Sequence, residues 1–289
     1  MIIDIHAHTS QHQLWNLHVE MADIDALRRL AKDFNIDKIY LMATYFPLKK
    51  SGLINEELLA RMAGDSLFGC FGSLDAENNL AAGLSELTDL AQAKLIDGLK
   101  LYPGYQNIDL GSEAFWPVYC LAEKFGLPIA IHQGELHHCC PRNKRLSGDF
   151  RCQNNRCLLD ERGDLSHPNK LEPALAAFPK VNFIACHLAN PFFNDLRSLM
   201  SRYPNLYTDL SGQFVSASDE DTPDYRKALQ FELESFLALD SGPERLMFGT
   251  DFPIQSYEDS LSLVEALDLS PAIKKNVLSE NAKRVLTEP

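Results

Sequence analysis

Short apolar runs alternate with amphipathic stretches along this chain from one end to the other. Residues 1–8 form a strand-like run. After a polar loop, residues 23–34 place Ile24, Leu27, Leu30, Ala31 and Phe34 at helical spacing. The same reading puts a second strand at 38–44, a short helix at 56–62, a third strand at 67–73 and a long amphipathic segment at 77–90, where Gly83 is a tolerated blemish. A weaker fourth strand, 95–101, is broken by Gly98 and stops before Pro103-Gly104. Residues 112–125 are helix-like, with Pro117 either in a first turn or at a kink. A fifth strand at 127–132 leads into a long irregular stretch. Next comes a helix at 170–178, which Pro173 starts near Leu171 or Glu172. Strands at 181–186, 206–210 and 246–249 then alternate with helices at 193–203, 224–239, 257–267 and 271–286.

Eight strands alternating with helices fit either a doubly wound sheet or a closed (β/α)₈ barrel. A doubly wound sheet would bind at a switch point and usually carries a glycine-rich loop after strand one. This chain has His6-Ala7-His8 there instead. The expected fold is therefore α/β, one (TIM-type) barrel over residues 1–289 with a long loop after strand five. Barrels of this kind assemble their sites at the carboxyl ends of the strands.

Those ends are where the chemistry collects. Side chains alternate faces along a strand, so His6 and His8, two apart, should point the same way and can share a cation. The apolar runs of strands five, six and eight each stop on a further potential ligand: His132, His187 and Asp251. Taken alone, an N-terminal HxH pair is weak evidence for metal. Its recurrence with three strands that also end on ligands makes a metal site the expectation.

Composition narrows the partners. A formal charge of −13 argues against a phosphate-tracking nucleic-acid surface and against an anionic membrane face. It leaves room for a small anionic substrate, because a metal sets its own local field. No stretch approaches eighteen apolar residues, and the N-terminus enters a strand without a basic region, so an intracellular, cytoplasmic protein is expected. Of the seven cysteines, Cys70, Cys120 and Cys186 lie in apolar segments and read as buried small side chains.

The chain resembles the metal-dependent amidohydrolase superfamily, in particular its amidohydrolase-related branch. The motifs are His6-Ala7-His8, Gly98-Leu99-Lys100, Ile131-His132-Gln133-Gly134, Ala185-Cys186-His187-Leu188, Gly249-Thr250-Asp251-Phe252-Pro253 and Glu280-Asn281-Ala282. They run in family order over essentially the whole chain. That branch holds hydrolases and nonoxidative decarboxylases, including those of the aminocarboxymuconate-semialdehyde and hydroxybenzoate types. The resemblance implies a ligand set of His6, His8, His132 and Asp251. Such an N₃O set suits a catalytic zinc, one per chain, with a position left open for water. Zinc lowers the pKa of its water, and Asp251 is expected both to touch the metal and to manage that proton.

His187 is expected to orient water and substrate; in binuclear relatives its counterpart ligates a second ion. Lys100 is expected to be an ammonium that binds a substrate carboxylate or carbonyl. A carboxylated bridging lysine and a plain surface lysine are the alternatives. Asp209 would fix a histidine tautomer or form an Asx turn. Tyr102, Tyr105 and Gln106 would line the substrate pocket.

Residues 134–168 far exceed the usual strand-to-helix loop and should fold across the mouth as a lid-like insertion. Glu135, His137, His138, Arg142, Lys144, Arg145 and Arg151 crowd its first half and could hold an anion or simply be solvated. Cys139, Cys140, Cys152 and Cys157 are read as free thiols, with a structural zinc site or disulfides as alternatives.

The first expectation is a metal-dependent hydrolase of an amide, lactone or other ester of a small carboxylate-bearing substrate. The alternative is a nonoxidative decarboxylase of an aromatic or enoic acid. After strand two the chain offers Thr44, Tyr45 and Phe46 and no arginine, whereas Lys100 looks hydrolase-like. A non-enzymatic binding protein is a third class, disfavoured because no ligand is missing. Relatives often dimerise, and Phe192 and Phe193 could form such a face or belong to the core.

Overall fold

In the computed structural model, residues 1–10, 22–45, 52–137, 157–219 and 221–286 are described. Eight parallel strands lie side by side in chain order: β1 (Ile3–Ala7), β2 (Lys38–Met42), β3 (Phe68–Gly72), β4 (Gly98–Leu101), β5 (Ile129–Ile131), β6 (Phe183–Ala185), β7 (Leu206–Asp209) and β8 (Leu246–Met247). The sheet closes on itself. The Ile5 N–H donates to Phe248 O at 3.1 Å, Asp251 N–H to His6 O at 2.7 Å and His8 N–H to Phe252 O at 2.7 Å. Parallel strands require crossovers, and a helix-bearing crossover joins each successive pair. This is the expected (β/α)₈ barrel.

Alternation along the strands divides the apolar residues between two regions. Leu41, Leu99, Ile129, Phe183 and Leu246 face the surrounding helices and join the larger core. Their neighbours Met42, Ala130, Ile184 and Met247 point inward, with Ile3, Ile5 and Phe71, to form a smaller plug inside the barrel. Ala282 and Val285 of the last helix, Asn281–Leu286, pack against that plug. Asn281 fixes this helix by donating its amide to Pro243 O and Leu246 O at 2.8 and 2.7 Å. The opposite, carboxyl end is thereby left to the polar residues.

The prolines settle the helix starts. Pro117 lies in the first turn of the helix Trp116–Phe125, after a 3₁₀ turn at Glu113–Phe115, so the chain does not kink there. Pro173 likewise opens Glu172–Ala177. The expected final helix at 271–286 is three pieces, Pro271–Lys275, a π-type turn Asn276–Glu280, and Asn281–Leu286. Strand five is also shorter than the apolar run 127–132, although Pro128 O and His132 N–H on either side of it still bond to Leu99 N–H and Leu101 O of β4.

The long excursion after β5 starts and returns at one place on the mouth. Gly134 N–H donates to Ser166 O, and the Ser166 hydroxyl donates back to Gly134 O at 2.7 Å. Arg162, ending the short helix Leu158–Arg162, makes a two-point ion pair with Glu77. Leu136, Cys157 and Leu159 pack with Tyr102 and Tyr105 as a separate apolar cluster. Cys157 is a free, buried thiol. Cys139, Cys140 and Cys152, with His138, Arg142, Lys144, Arg145 and Arg151, lie outside the described residues, as does Phe46. Phe193 packs against the large core, and Phe192 lies against the His167 ring at 4.2 Å. Among the described residues no helix is long and apolar enough to cross a membrane.

Candidate metal centre

His6 is carried by β1, His8 follows that strand, His132 follows β5, His187 follows β6 and Asp251 lies just beyond β8; all five sit at the carboxyl end of the barrel. Among the described residues two groups of side chains there could hold an ion, His6 with His8 and Asp251, and His6 with His187 and Asp209. In the first, Asp251 Oδ1 lies 3.1 Å from His8 Nε2 and 3.5 Å from His6 Nε2. His132 belongs to neither group; its Nδ1 instead faces His187 Nε2 at 3.1 Å. His8 is the most open of these ligands, with 19 % of its side chain exposed.

Hydrogen-bond partners assign the imidazole tautomers. His6 Nδ1–H donates to Asp209 Oδ2 at 3.0 Å, which leaves Nε2 bare toward Asp251. His187 Nδ1–H donates to Ser211 O at 3.1 Å, and His132 Nε2–H to Glu135 O at 3.2 Å. The two nitrogens that then face one another, His132 Nδ1 and His187 Nε2, both present lone pairs. Two lone pairs 3.1 Å apart repel unless a cation meets them, and a carboxylate stands close by. The donor set therefore fits a divalent metal bound through imidazole nitrogen and carboxylate oxygen.

Electrostatics agree. Burial, with the Lys100 ammonium nearby, pushes His6 down to about 3, so its ring is neutral and able to ligate. Burial likewise lowers His132, reinforced by His187 and Lys100, and it lowers His187. Burial alone would raise the two carboxylates. For Asp251 the hydrogen bond from His8 and the surrounding imidazoles outweigh it and hold the group well below its usual range. Asp209 is held ionised in the same way, as it accepts from His6 Nδ1–H, the backbone N–H of His187 and Ser211, and the Ser211 hydroxyl. Asp209 is thus the hydrogen-bond partner of His6 Nδ1 and closes a local turn onto the Ser211 N–H.

Lys100 is fully buried, which removes the surface-lysine alternative. Its Nζ lies 3.2 Å from His6 Nε2, 3.1 Å from Cys186 Sγ and 5.2 Å above the Tyr102 ring. Tyr102 donates its hydroxyl to Ala43 O at 2.7 Å. Tyr105 sets its ring edge-on to His132, with centroids 4.8 Å apart, and accepts from His137 N–H. Gln106 is used differently: its amide accepts from Ala76 N–H and donates to Leu74 O, tying two loops together.

Reading the sequence alone missed Ser211, whose oxygen lies 2.9 Å from His6 Nδ1 and 3.0 Å from His187 Nδ1. The signal was present, since Ser211 stands two residues beyond Asp209, as His8 does beyond His6. Cys186, read as a buried small side chain, is one, and its Sγ also meets Lys100 Nζ at 3.1 Å; burial raises its thiol. Gly212 was missed for a different reason, since only the folded chain brings its backbone against Asp251 and His187.

Known proteins share this fold. No curated protein matches the chain. A solved amidohydrolase from Burkholderia multivorans is 17% identical, with a TM-score of 0.69 and 100% of each chain covered. A putative 2-pyrone-4,6-dicarboxylic acid hydrolase from Pseudomonas putida is 16% identical, with a TM-score of 0.63 and 99% of this chain and 97% of that one covered. The 5-carboxyvanillate decarboxylase of Sphingomonas paucimobilis is 17% identical, with a TM-score of 0.62 over 92% and 84% of the two chains. At such identities these likenesses speak for the fold alone. The amidohydrolase family model, however, matches residues 3–287, and on that near-complete match the chain belongs to the amidohydrolase family.

Proposed function

We propose that the protein is a zinc-dependent hydrolase of an amide, lactone or other ester in a small, carboxylate-bearing molecule. The observation that carries this reading is Asp251, an ionised carboxylate whose Oδ1 reaches Nε2 of both His6 and His8. His6, His8, His132 and Asp251 would hold the ion. A divalent metal there acts as a Lewis acid and makes water acidic enough to lose a proton near neutral pH. Asp251 accepts that proton and passes it to the leaving group. His187 Nε2, its ring fixed by Ser211 O, accepts a hydrogen bond from water and so orients it. Lys100 presents the positive charge for a substrate carboxylate, with Tyr102 and Tyr105 as the wall beside it; Gln106 serves the loops rather than the substrate. The 2-pyrone-4,6-dicarboxylic acid named for the Pseudomonas relative is a lactone with two carboxylates, the kind of molecule this site suits. Free Cys157 and Cys186 accord with a reducing, cytoplasmic setting.

Nonoxidative decarboxylation of an aromatic or enoic acid is the second reading. Decarboxylase relatives of the same fold, such as the 5-carboxyvanillate enzyme, and His187 at the edge of the centre support it, since a protonated His187 would be the acid that delivers a proton to carbon. A panel of lactones, N-acyl amino acids and aromatic or enoic acids, turned over in ¹⁸O-water, separates the two. Hydrolysis incorporates label in a metal-dependent reaction that Asp251→Asn slows by roughly two to four orders of magnitude. Stoichiometric carbon dioxide with no label in the organic product would overturn the hydrolase in favour of the decarboxylase.

A further inference from the structure

Strand β1 turns its first histidine inward by breaking step with β2. Asp4 pairs with Ile39 and Ala7 with Leu41, so three residues of β1 advance over two of β2. Ile3 and Ile5 belong to the apolar plug inside the barrel, whereas Ala7 faces the helices. Plain alternation from Ile5 would send His6 outward with Asp4. The extra residue brings it inside, to 3.2 Å from Lys100 Nζ. Such a slip frees ladder groups from their strand partners, and a buried group left unpaired is costly.

The fully buried Asp4 side chain meets that need. Its Oδ1 accepts the His6 N–H at 3.0 Å and the Thr250 N–H at 3.1 Å, and its Oδ2 accepts the Thr250 hydroxyl at 2.7 Å. The Thr250 oxygen in turn accepts the Phe252 N–H at 3.0 Å, bracketing Asp251 between two anchored residues. One carboxylate therefore fastens the strand end that bears His6 to the turn that bears Asp251, at the seam where the barrel closes.

We propose that Asp4 is a positioning residue of the metal centre, whose hydrogen bonds set the separation of His6 Nε2 and Asp251 Oδ1. This rests on the reading of His6, His8 and Asp251 as ligands. Zinc affinity by chelator competition tests it, alongside hydrogen exchange of the His6 amide in protein labelled with ¹⁵N-histidine. Asp4→Asn keeps an oxygen for both amides and should stay within about threefold of the wild type, whereas Asp4→Leu, similar in size but without acceptors, should bind zinc roughly 10–100-fold more weakly. The His6 amide should stay protected in the first variant and exchange faster in the second. Equal zinc affinity in folded Asp4→Leu and the wild type overturns the proposal alone. If Asp4→Leu fails to fold, Thr250→Val decides: unchanged zinc affinity and His6 amide exchange there overturn it. A wild type that takes up no zinc overturns the metal reading, and the proposal with it.

Discussion

Gly212 gives the centre its room. It sits at φ +59°, and a Cβ there would come within 2.7 Å of Asp251 Oδ2 and 3.0 Å of His187 Nδ1. Gly212→Ala should therefore displace a ligand while sparing the barrel, and zinc affinity should fall by about tenfold or more. Chelator competition with circular dichroism on the same samples checks both halves of that statement. Lys100 makes the opposite case. A buried ammonium replaced by an apolar side chain of similar length is often neutral or stabilising for the fold. Lys100→Met should leave the melting temperature level or raise it, yet raise KM for acidic substrates far more than for their neutral esters. Equal KM effects on acid and ester would remove Lys100 from carboxylate binding.

Among the elements, the turn after β6 carries the most strain. His187, Leu188 and Ala189 have φ values of 62°, 53° and 51°, three successive left-handed residues of which none is glycine. The left-handed region costs L-residues roughly 1–2 kcal/mol each. What holds the turn is the loop after β5: the Glu135 N–H donates to Asn190 O at 2.8 Å, while the Glu135 carbonyl accepts the His132 Nε2–H. Gly134 allows this approach, because a Cβ on it would lie 2.2 Å from Asn190 O. Ala189→Gly should stabilise the protein by about 0.5–1 kcal/mol in denaturant melts, since glycine adopts that φ without strain. Gly134→Ala should do the reverse and also raise KM or lower kcat by separating His132 from His187. A Gly134→Ala enzyme with wild-type kinetics would show that the two loops are not coupled.

At the scale of the molecule, the buried histidines with Asp209 and Asp251 make stability fall on acidification, against the opposite pull of Asp4, which burial pushes up to about 7. In metal-free protein His6 titrates near 3 instead of its ordinary 6.5, so between those values the unfolded chain binds more protons than the folded one. The stability it contributes is fully present above about 6.5 and is lost as pH falls toward 3. His132 and His187 are lowered as well and act with the same sign. Asp209 and Asp251, held low by their imidazole and hydroxyl partners, add a further loss in the carboxylate range. Chelator-treated protein should melt at a lower temperature at pH 5 than at pH 8, with a steeper fall below pH 4. A melting temperature that holds or rises on acidification would contradict the neutral, buried histidines.

The order of apolar runs and their period decided the barrel, because eight strand-like runs separated by amphipathic helices can bury their faces in few other ways. The same runs told which residues end the strands, so His6, His8, His132, His187 and Asp251 were legible before any coordinates. Alternation is a local property, and local properties survive in one dimension. Tertiary structure decided the rest. The slip between β1 and β2 that turns His6 inward depends on a partner strand some thirty residues away, and on Thr250 at the far end of the chain. Asp209 makes a local turn, its Oδ1 accepting the Ser211 N–H two residues on, but only the fold sets its Oδ2 3.0 Å from a ring 203 residues away. Gln106 looked like Tyr102 and Tyr105 in sequence, yet it faces the backbone of the loop after β3. Hydrogen bonds and ligand geometry are set by distances of a few tenths of an ångström between remote segments, and only the closed barrel fixes those.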